Sequence, residues 1–190
     1  MITLIIGEPH SGKSALAEQL AMEAVHQNSG AAYYLATMEV LGKEAMERVK
    51  KHRALRAGKG FVTIEKTVHV SDALALIRQP ETATVLLECV SNLVGNEMHG
   101  SPEKMELAAS DPACFADAIA DDILKLAVVS NLILVTNDFA NEGDFDEETR
   151  CYVRLCDAVN ERLRARADRV EDVRTLSGKK DGPDWKGGDV

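Results

Sequence analysis

Residues 2–14 read ITLIIGEPHSGKS, and this stretch decides the fold. It begins with a short apolar, β-branched run, which predicts a buried strand, and continues into the pattern G-x-x-x-x-G-K-S. Residues 15–21 read ALAEQLA and predict a helix directly behind it. A glycine-rich turn between a strand and a helix is the context in which this pattern forms a phosphate-binding loop.

Each position of this loop suits the phosphates of a nucleotide. The two glycines permit a tight turn whose backbone N–H groups point toward an anion. Lys13 can reach the β- and γ-phosphates as a catalytic cation, and Ser14 can bind the Mg²⁺ that accompanies a nucleotide. We therefore predict a nucleotide-binding loop made of Gly7, Glu8, Pro9, His10, Ser11, Gly12, Lys13 and Ser14. The alternative is a glycine-rich turn before an ordinary helix.

The remaining strand signals predict the fold class. Apolar runs recur at 2–6, 32–36, 61–64, 85–87, 132–135 and 169–173, mostly separated by helix-length segments. This alternation predicts an α/β protein, a P-loop NTPase (RecA-like) three-layer fold with a mostly parallel sheet flanked by helices. Two helices are predicted from apolar residues three or four positions apart: Phe115, Ile119, Ile123 and Leu126, then Tyr152, Leu155, Val159 and Leu163.

Length and composition bound the class of protein. A chain of 190 residues favours one domain, which we place at residues 1–176, followed by a polar, mobile tail at 177–190 that contains Trp185. The net charge of −9 disfavours a nucleic-acid polymer as ligand. No apolar run has the length of a membrane span or a signal peptide, so we expect a cytoplasmic protein. The four cysteines lack zinc-ligand spacing, which favours buried free thiols.

A second group of polar residues lies at 44–56, a segment without helix breakers. Helical spacing there would place Arg48, His52 and Arg56 on one face, four residues apart. A polyphosphate could bridge the two guanidinium groups, and cationic neighbours favour the neutral imidazole that is nucleophilic near pH 7. An ordinary solvated basic face is the alternative.

Several segments together carry a resemblance to a known family. They are the loop with AE at 17–18, YLAT at 34–37, ERV at 47–49 with His52 and Arg56, T-x-E at 63–65, VLLEC at 85–89 with Asn96 downstream, VTND at 135–138, and Asn160. Over residues 2–178 the chain resembles the bifunctional adenosylcobinamide kinase/adenosylcobinamide-phosphate guanylyltransferase family of cobalamin nucleotide-loop assembly. The segment around His52 is more specific to that family than the loop is.

The resemblance implies roles for particular residues. In that family the histidine at the position of His52 carries covalent GMP. Glu88 ends an apolar strand and could approach Mg²⁺ together with Ser14, while capping of a neighbouring helix is its structural alternative. Glu65 could accept hydrogen bonds from guanine or ribose, or be a surface carboxylate. By resemblance, GTP would be contacted by Ala36, Thr37, Met38, Arg53, Ala54, Leu55, Arg56, Glu65 and Glu88.

We expect two reactions, with Mg²⁺ and GTP or ATP. The first phosphorylates adenosylcobinamide with a nucleoside triphosphate. The second transfers GMP from GTP to adenosylcobinamide phosphate through guanylylated His52. The resemblance also implies a homo-oligomer, with a trimer as the expected form. Two alternatives remain: a single-activity P-loop kinase for another small molecule, and a nucleotide-binding regulatory module with the acidic loop at 138–148 as its partner surface.

Overall fold

The structure is a computed structural model, and it describes residues 1–39, 42, 46–47, 50, 58–139 and 145–173. The C-terminal residues 177–190 lie outside these ranges. The mobile tail and the domain boundary at residue 176 therefore stay predictions.

A six-stranded sheet forms the centre of the protein, and every pair of neighbouring strands is parallel. In spatial order the strands run β3-β2-β4-β5-β1-β6. This sheet confirms the predicted fold class, and the predicted strand positions agree to within about two residues. The strands are β1 Ile2–Gly7, β2 Ala32–Ala36, β3 Phe61–Glu65, β4 Thr84–Glu88, β5 Asn131–Asn137 and β6 Arg169–Asp172.

Helices cover both faces of the sheet and complete three layers. We number the helices described in full α1 Lys13–Asn28, α2 Val90–Met98, α3 Pro102–Ser110, α4 Pro112–Leu124 and α5 Glu147–Arg166. Short 3₁₀ segments span Val70–Leu76 and Lys125–Val128. Helix α1 packs on one face, whereas α2 to α5 pack on the other. No helix in the described ranges is long and apolar enough to cross a bilayer.

The two faces are built by strand alternation. In β1, Leu4 points into the larger core beneath α2 to α5, and Ile5 points into the smaller core beneath α1. Both predicted helix stripes are confirmed. In the first, all four apolar residues are buried, and in the second, Leu155, Val159 and Leu163 are buried while Tyr152 is half-buried. Buried apolar side chains on both faces explain why these strands read as nearly continuous apolar runs.

Helix α3 lies in a stretch, 98–112, whose sequence shows little apolar periodicity. Ala108 is the buried residue of α3. Because so little of the helix faces the core, its sequence shows almost no hydrophobic pattern. The Ser101 side chain accepts a hydrogen bond from the Lys104 amide, and Pro102 occupies the first turn. These are capping signals rather than hydrophobic ones, and they are sufficient to start a helix.

The carboxyl ends of the strands meet at one edge of the sheet. Glu65, Ala36 and Glu88 lie side by side across β3, β2 and β4, and Val135 of β5 continues the row. The phosphate-binding loop leaves β1 at this same edge. Ligands of open α/β sheets bind outside the carboxyl ends of the strands, so this edge is where the candidate site lies.

Candidate active site

The loop between β1 and α1 favours glycine at both of its glycine positions. A Cβ on Gly7 would lie 2.8 Å from Ser11 Oγ and 3.2 Å from Val173 Cβ, so both neighbours would have to shift to admit a side chain. Gly12 has φ +87°, a left-handed conformation that side chains rarely adopt. The Ser11 amide donates to the Glu8 carbonyl at 3.2 Å and closes the turn. The sequence motif therefore forms a tight loop.

The first turn of α1 is suited to an anion. Gly12 gives it no side-chain cap, and its first turn carries no acidic residue. The backbone N–H groups and the positive end of the helix dipole are therefore left for a ligand. Within the described ranges, Ser11 Oγ is buried without a hydrogen-bond partner. A bound phosphate would supply acceptors for such groups.

Lys13 is the buried cation of this loop. Its side chain is 7% exposed, and Nζ donates to the Glu8 carbonyl at 2.8 Å. Burial lowers the pKa of the Lys13 ammonium, while nearby Cys89 and Glu88 act in the opposite direction. An ammonium has three donors, so the bond to Glu8 leaves two for phosphate oxygens.

Glu88, at the end of β4, accepts hydrogen bonds on both carboxylate oxygens. Ser14 Oγ donates to Oε1 at 2.5 Å, and the Tyr34 hydroxyl donates to Oε2 at 2.8 Å. The structure thus joins two residues that the sequence predicts as metal ligands. A carboxylate and a hydroxyl are oxygen donors of the kind that Mg²⁺ prefers when nucleotide phosphates supply the rest of its shell. The donors present therefore fit the predicted ion.

Thr37 ties the ends of β2 and β4 together. Its hydroxyl donates to the Cys89 carbonyl and accepts from the Cys89 amide, each at 2.8 Å. Its amide donates to the Glu88 carbonyl, and its own carbonyl accepts from the Asn96 side chain at 2.7 Å. The same Asn96 amide group also reaches the Thr67 carbonyl at 2.9 Å. These bonds engage all the polar groups of Thr37, so its direct contact with nucleotide stays a prediction.

The other predicted contacts within the described ranges lie along the same edge. Ala36 and Met38 are half-buried at the end of β2, and Glu65 is exposed at the end of β3. Since β2 lies between β3 and β4, Glu65 is two strands from Glu88. A nucleotide held at the loop would have to extend across β5, β4 and β2 to reach Glu65. This contact stays a prediction as well.

A second polar network lies at the end of β5, beside the loop. Asn137 is in register with Gly7, and its side-chain amide donates to Ser91 Oγ at 2.6 Å. Asn160 of α5 donates to the Asn137 carbonyl at 3.0 Å and accepts from Thr136 Oγ1 at 2.7 Å. The sequence analysis includes Tyr34 and Asn137 only as members of the YLAT and VTND segments and assigns neither a contact. Their contacts with Glu88 and Ser91 become visible only when the strand order is known.

The predicted guanylylation segment lies outside the described residues. This applies to Arg48, His52, Arg53, Ala54, Leu55 and Arg56. The roles of these residues therefore rest on sequence alone. The described site comprises the loop, Lys13, the Ser14–Glu88 pair and the strand ends around it.

Comparison with known proteins gives two findings for this chain. A family model described as cobinamide kinase / cobinamide phosphate guanyltransferase matches residues 3–178. The "Bifunctional adenosylcobalamin biosynthesis protein CobU" of Escherichia coli (strain K12) is 28% identical over 177 residues. That similarity covers 90% of this chain and 93% of the relative. The range matched by the family model includes the phosphate-binding loop and the segment around His52.

Proposed function

The chain belongs to the cobinamide kinase / cobinamide phosphate guanyltransferase family, and on that premise we propose that it carries out both reactions in cobalamin biosynthesis. It phosphorylates the hydroxyl of adenosylcobinamide with a nucleoside triphosphate. It then transfers GMP from GTP to the resulting phosphate, through a guanylylated His52.

The kinase half is supported above all by one arrangement: buried Lys13 and the Ser14–Glu88 pair lie at the uncapped start of α1. The helix N-terminus and Lys13 would hold the phosphates and oppose the charge that develops on the transferred group. The substrate hydroxyl oxygen attacks the γ-phosphorus, and the bond from that phosphorus to the bridging oxygen breaks. Nucleoside diphosphate leaves, and the hydroxyl proton passes to solvent.

Mg²⁺ is the metal we propose for this site, held by Ser14 Oγ and Glu88 together with nucleotide phosphates. Bound there, it would neutralise phosphate charge. Tyr34 already occupies the far oxygen of Glu88, so the oxygen that faces Ser14 is the one available to an ion.

The guanylyltransferase half rests on family membership and on the Arg48, His52, Arg56 spacing. A neutral imidazole nitrogen of His52 attacks the α-phosphorus of GTP, and pyrophosphate leaves. An oxygen of the corrinoid phosphate then attacks the same phosphorus and releases the histidine. Dividing the transfer into two displacements replaces one difficult step by two easier ones. Arg48 and Arg56 would hold phosphate oxygens during both.

Product analysis tests this proposal. The protein is incubated with adenosylcobinamide, ATP, GTP and Mg²⁺, and the corrinoids are identified by mass. Sequential appearance of adenosylcobinamide phosphate and then the GDP-linked corrinoid is expected. Formation of the phosphate alone would support the plain-kinase alternative, and formation of neither would contradict the proposal. Light scattering of the purified protein tests the predicted trimer separately.

A further inference from the structure

Tyr34 is a buried residue at the candidate site, and the proposed reactions use it neither as a metal ligand nor as a contact to phosphate. Its side chain is 3% exposed, and its hydroxyl donates to Glu88 Oε2 at 2.8 Å. The other Glu88 oxygen accepts from Ser14. The carboxylate is therefore held by two donors, Tyr34 of β2 and Ser14 in the first turn of α1.

The two donors differ in how firmly they are fixed. The Tyr34 ring belongs to the core beneath α1 and meets the Phe61 ring edge-on, with centroids 6.0 Å apart and an interplanar angle of 81°. A ring packed in this way fixes the position of its hydroxyl. Ser14 lies at the start of α1, where its hydroxyl can turn about one bond. Tyr34 is thus the permanent partner of Glu88, and Ser14 is the exchangeable one.

From this difference we infer that Tyr34 is a positioning residue for the metal site. Its hydroxyl holds Oε2 of Glu88 and thereby keeps Oε1 directed at Ser14, where Mg²⁺ would bind. The inference rests on the proposed function, because it takes Glu88 and Ser14 as the ligands. Partners that orient a ligating carboxylate affect metal affinity although they do not touch the metal.

The chain offers a matched pair of variants. Tyr34→Phe removes the hydroxyl and keeps the ring that packs against Phe61. Tyr33→Phe makes the same chemical change one residue earlier, on the opposite face of the sheet, where the buried Tyr33 hydroxyl accepts a hydrogen bond from the Arg78 amide at 2.9 Å. Among the described contacts, the hydroxyl hydrogen bonds removed by the two variants have similar lengths, 2.8 Å for Tyr34 and 2.9 Å for Tyr33. Tyr34→Phe alone changes the surroundings of Glu88.

The measured quantity is the tightening of nucleotide binding by Mg²⁺. Calorimetry gives the Kd of α,β-methylene GTP, which cannot release pyrophosphate, in EDTA and in Mg²⁺. The ratio of the Kd in EDTA to the Kd in Mg²⁺ gives the contribution of the metal ion to nucleotide affinity. We expect Tyr34→Phe to lower this ratio about tenfold, with the Kd in EDTA unchanged, and Tyr33→Phe to leave the ratio at the wild-type value. Thermal unfolding of both variants checks that each is folded.

Three results would overturn the inference alone and leave the proposed function in place. An unchanged ratio in folded Tyr34→Phe would show that the hydroxyl does not act on the metal site. An equal loss in Tyr33→Phe would show a general effect of losing a buried hydroxyl. A further loss when Tyr34→Phe is added to Glu88→Gln would show that Tyr34 does not act through Glu88. A wild-type protein whose binding does not respond to Mg²⁺ would instead contradict the metal site of the proposed function itself, and the inference with it.

Discussion

Ser14 and Glu88 are 74 positions apart in the chain, and their side chains hydrogen-bond directly at the carboxyl edge of the sheet. The contact depends on the strand order, because β5 lies between β1, which leads into the loop, and β4, which ends in Glu88. Helix α1 packs over β5 and β4, and Ser14 lies in its first turn. The fold thus brings together the two residues that we propose as ligands of Mg²⁺.

Lys13→Ala is expected to abolish both reactions. The substitution removes the cation that we propose opposes charge on the transferring phosphorus, and we expect a loss of at least about 10²-fold in kcat/KM. Steady-state rates of phosphate and GMP transfer give the result. Lys125→Ala is the control, because it removes one positive charge from an exposed side chain at the end of α4. Full activity in folded Lys13→Ala would remove the loop from the mechanism.

Glu88→Gln is expected to shift the Mg²⁺ dependence of turnover to higher concentration. The amide keeps the shape of the side chain and loses its negative charge, so metal binding suffers more than metal-free nucleotide binding. Activity measured against Mg²⁺ concentration tests this.

Glu97→Gln is the matched control for Glu88→Gln. Glu97 is also a buried carboxylate, 8% exposed, but it accepts a hydrogen bond from the His69 amide and pairs with Lys104, within the α2 side of the fold. We expect it to lower the free energy of unfolding by about 1–3 kcal/mol while the Mg²⁺ curve keeps its wild-type midpoint. If both variants shift the curve equally, Glu88 has only a structural role.

Lys13→Met is expected to stabilise the nucleotide-free protein while removing activity. An apolar side chain avoids the cost of burying an ammonium, and the lowered pKa of Lys13 indicates that this cost exceeds the gain from the neighbouring Cys89 and Glu88. Burial lowers the pKa of Lys13 in the folded state, so the unfolded chain binds more protons between the two pKa values and wild-type stability rises with pH there. Denaturant unfolding should show this slope at alkaline pH in wild type and its loss in Lys13→Met.

The sequence was sufficient to predict the sheet and the loop, for identifiable physical reasons. Strands such as β1 and β5 are buried on both faces and read as apolar runs. In the loop, close neighbours at Gly7 and a positive φ at Gly12 favour glycine. Helix α3 shows where the periodicity of apolar residues fails to predict a helix. Its start is fixed by Ser101 and Pro102, while its exposed face carries no hydrophobic pattern.

The contacts between strand ends could not be predicted in the same way. Tyr34 reaches Glu88 because β2 neighbours β4, and Asn137 lies beside Gly7 because β5 neighbours β1. Periodicity along the chain gives the faces of each strand but not the order of the strands. A residue whose role depends on its neighbour in the sheet therefore needs the folded structure.

Arg48→Ala and Arg56→Ala are expected to slow guanylylation without preventing it. We propose that these side chains hold phosphate oxygens and do not form the covalent bond. Rapid-quench measurements of adduct formation should give a lower rate constant and an unchanged final amount of adduct. Loss of the adduct in either variant would assign that arginine an essential role in the bond-forming step.

Covalent labelling by GTP tests the central claim most directly. The protein is incubated with Mg²⁺ and GTP labelled on the α-phosphate, then denatured, and acid-labile label on the chain is counted for wild type and His52→Asn. We predict labelled wild-type protein, unlabelled His52→Asn, and substantial kinase activity in both, because only the guanylyl transfer uses the imidazole covalently. A covalent GMP adduct on His52→Asn, or no adduct on wild type, would contradict the guanylyltransferase assignment.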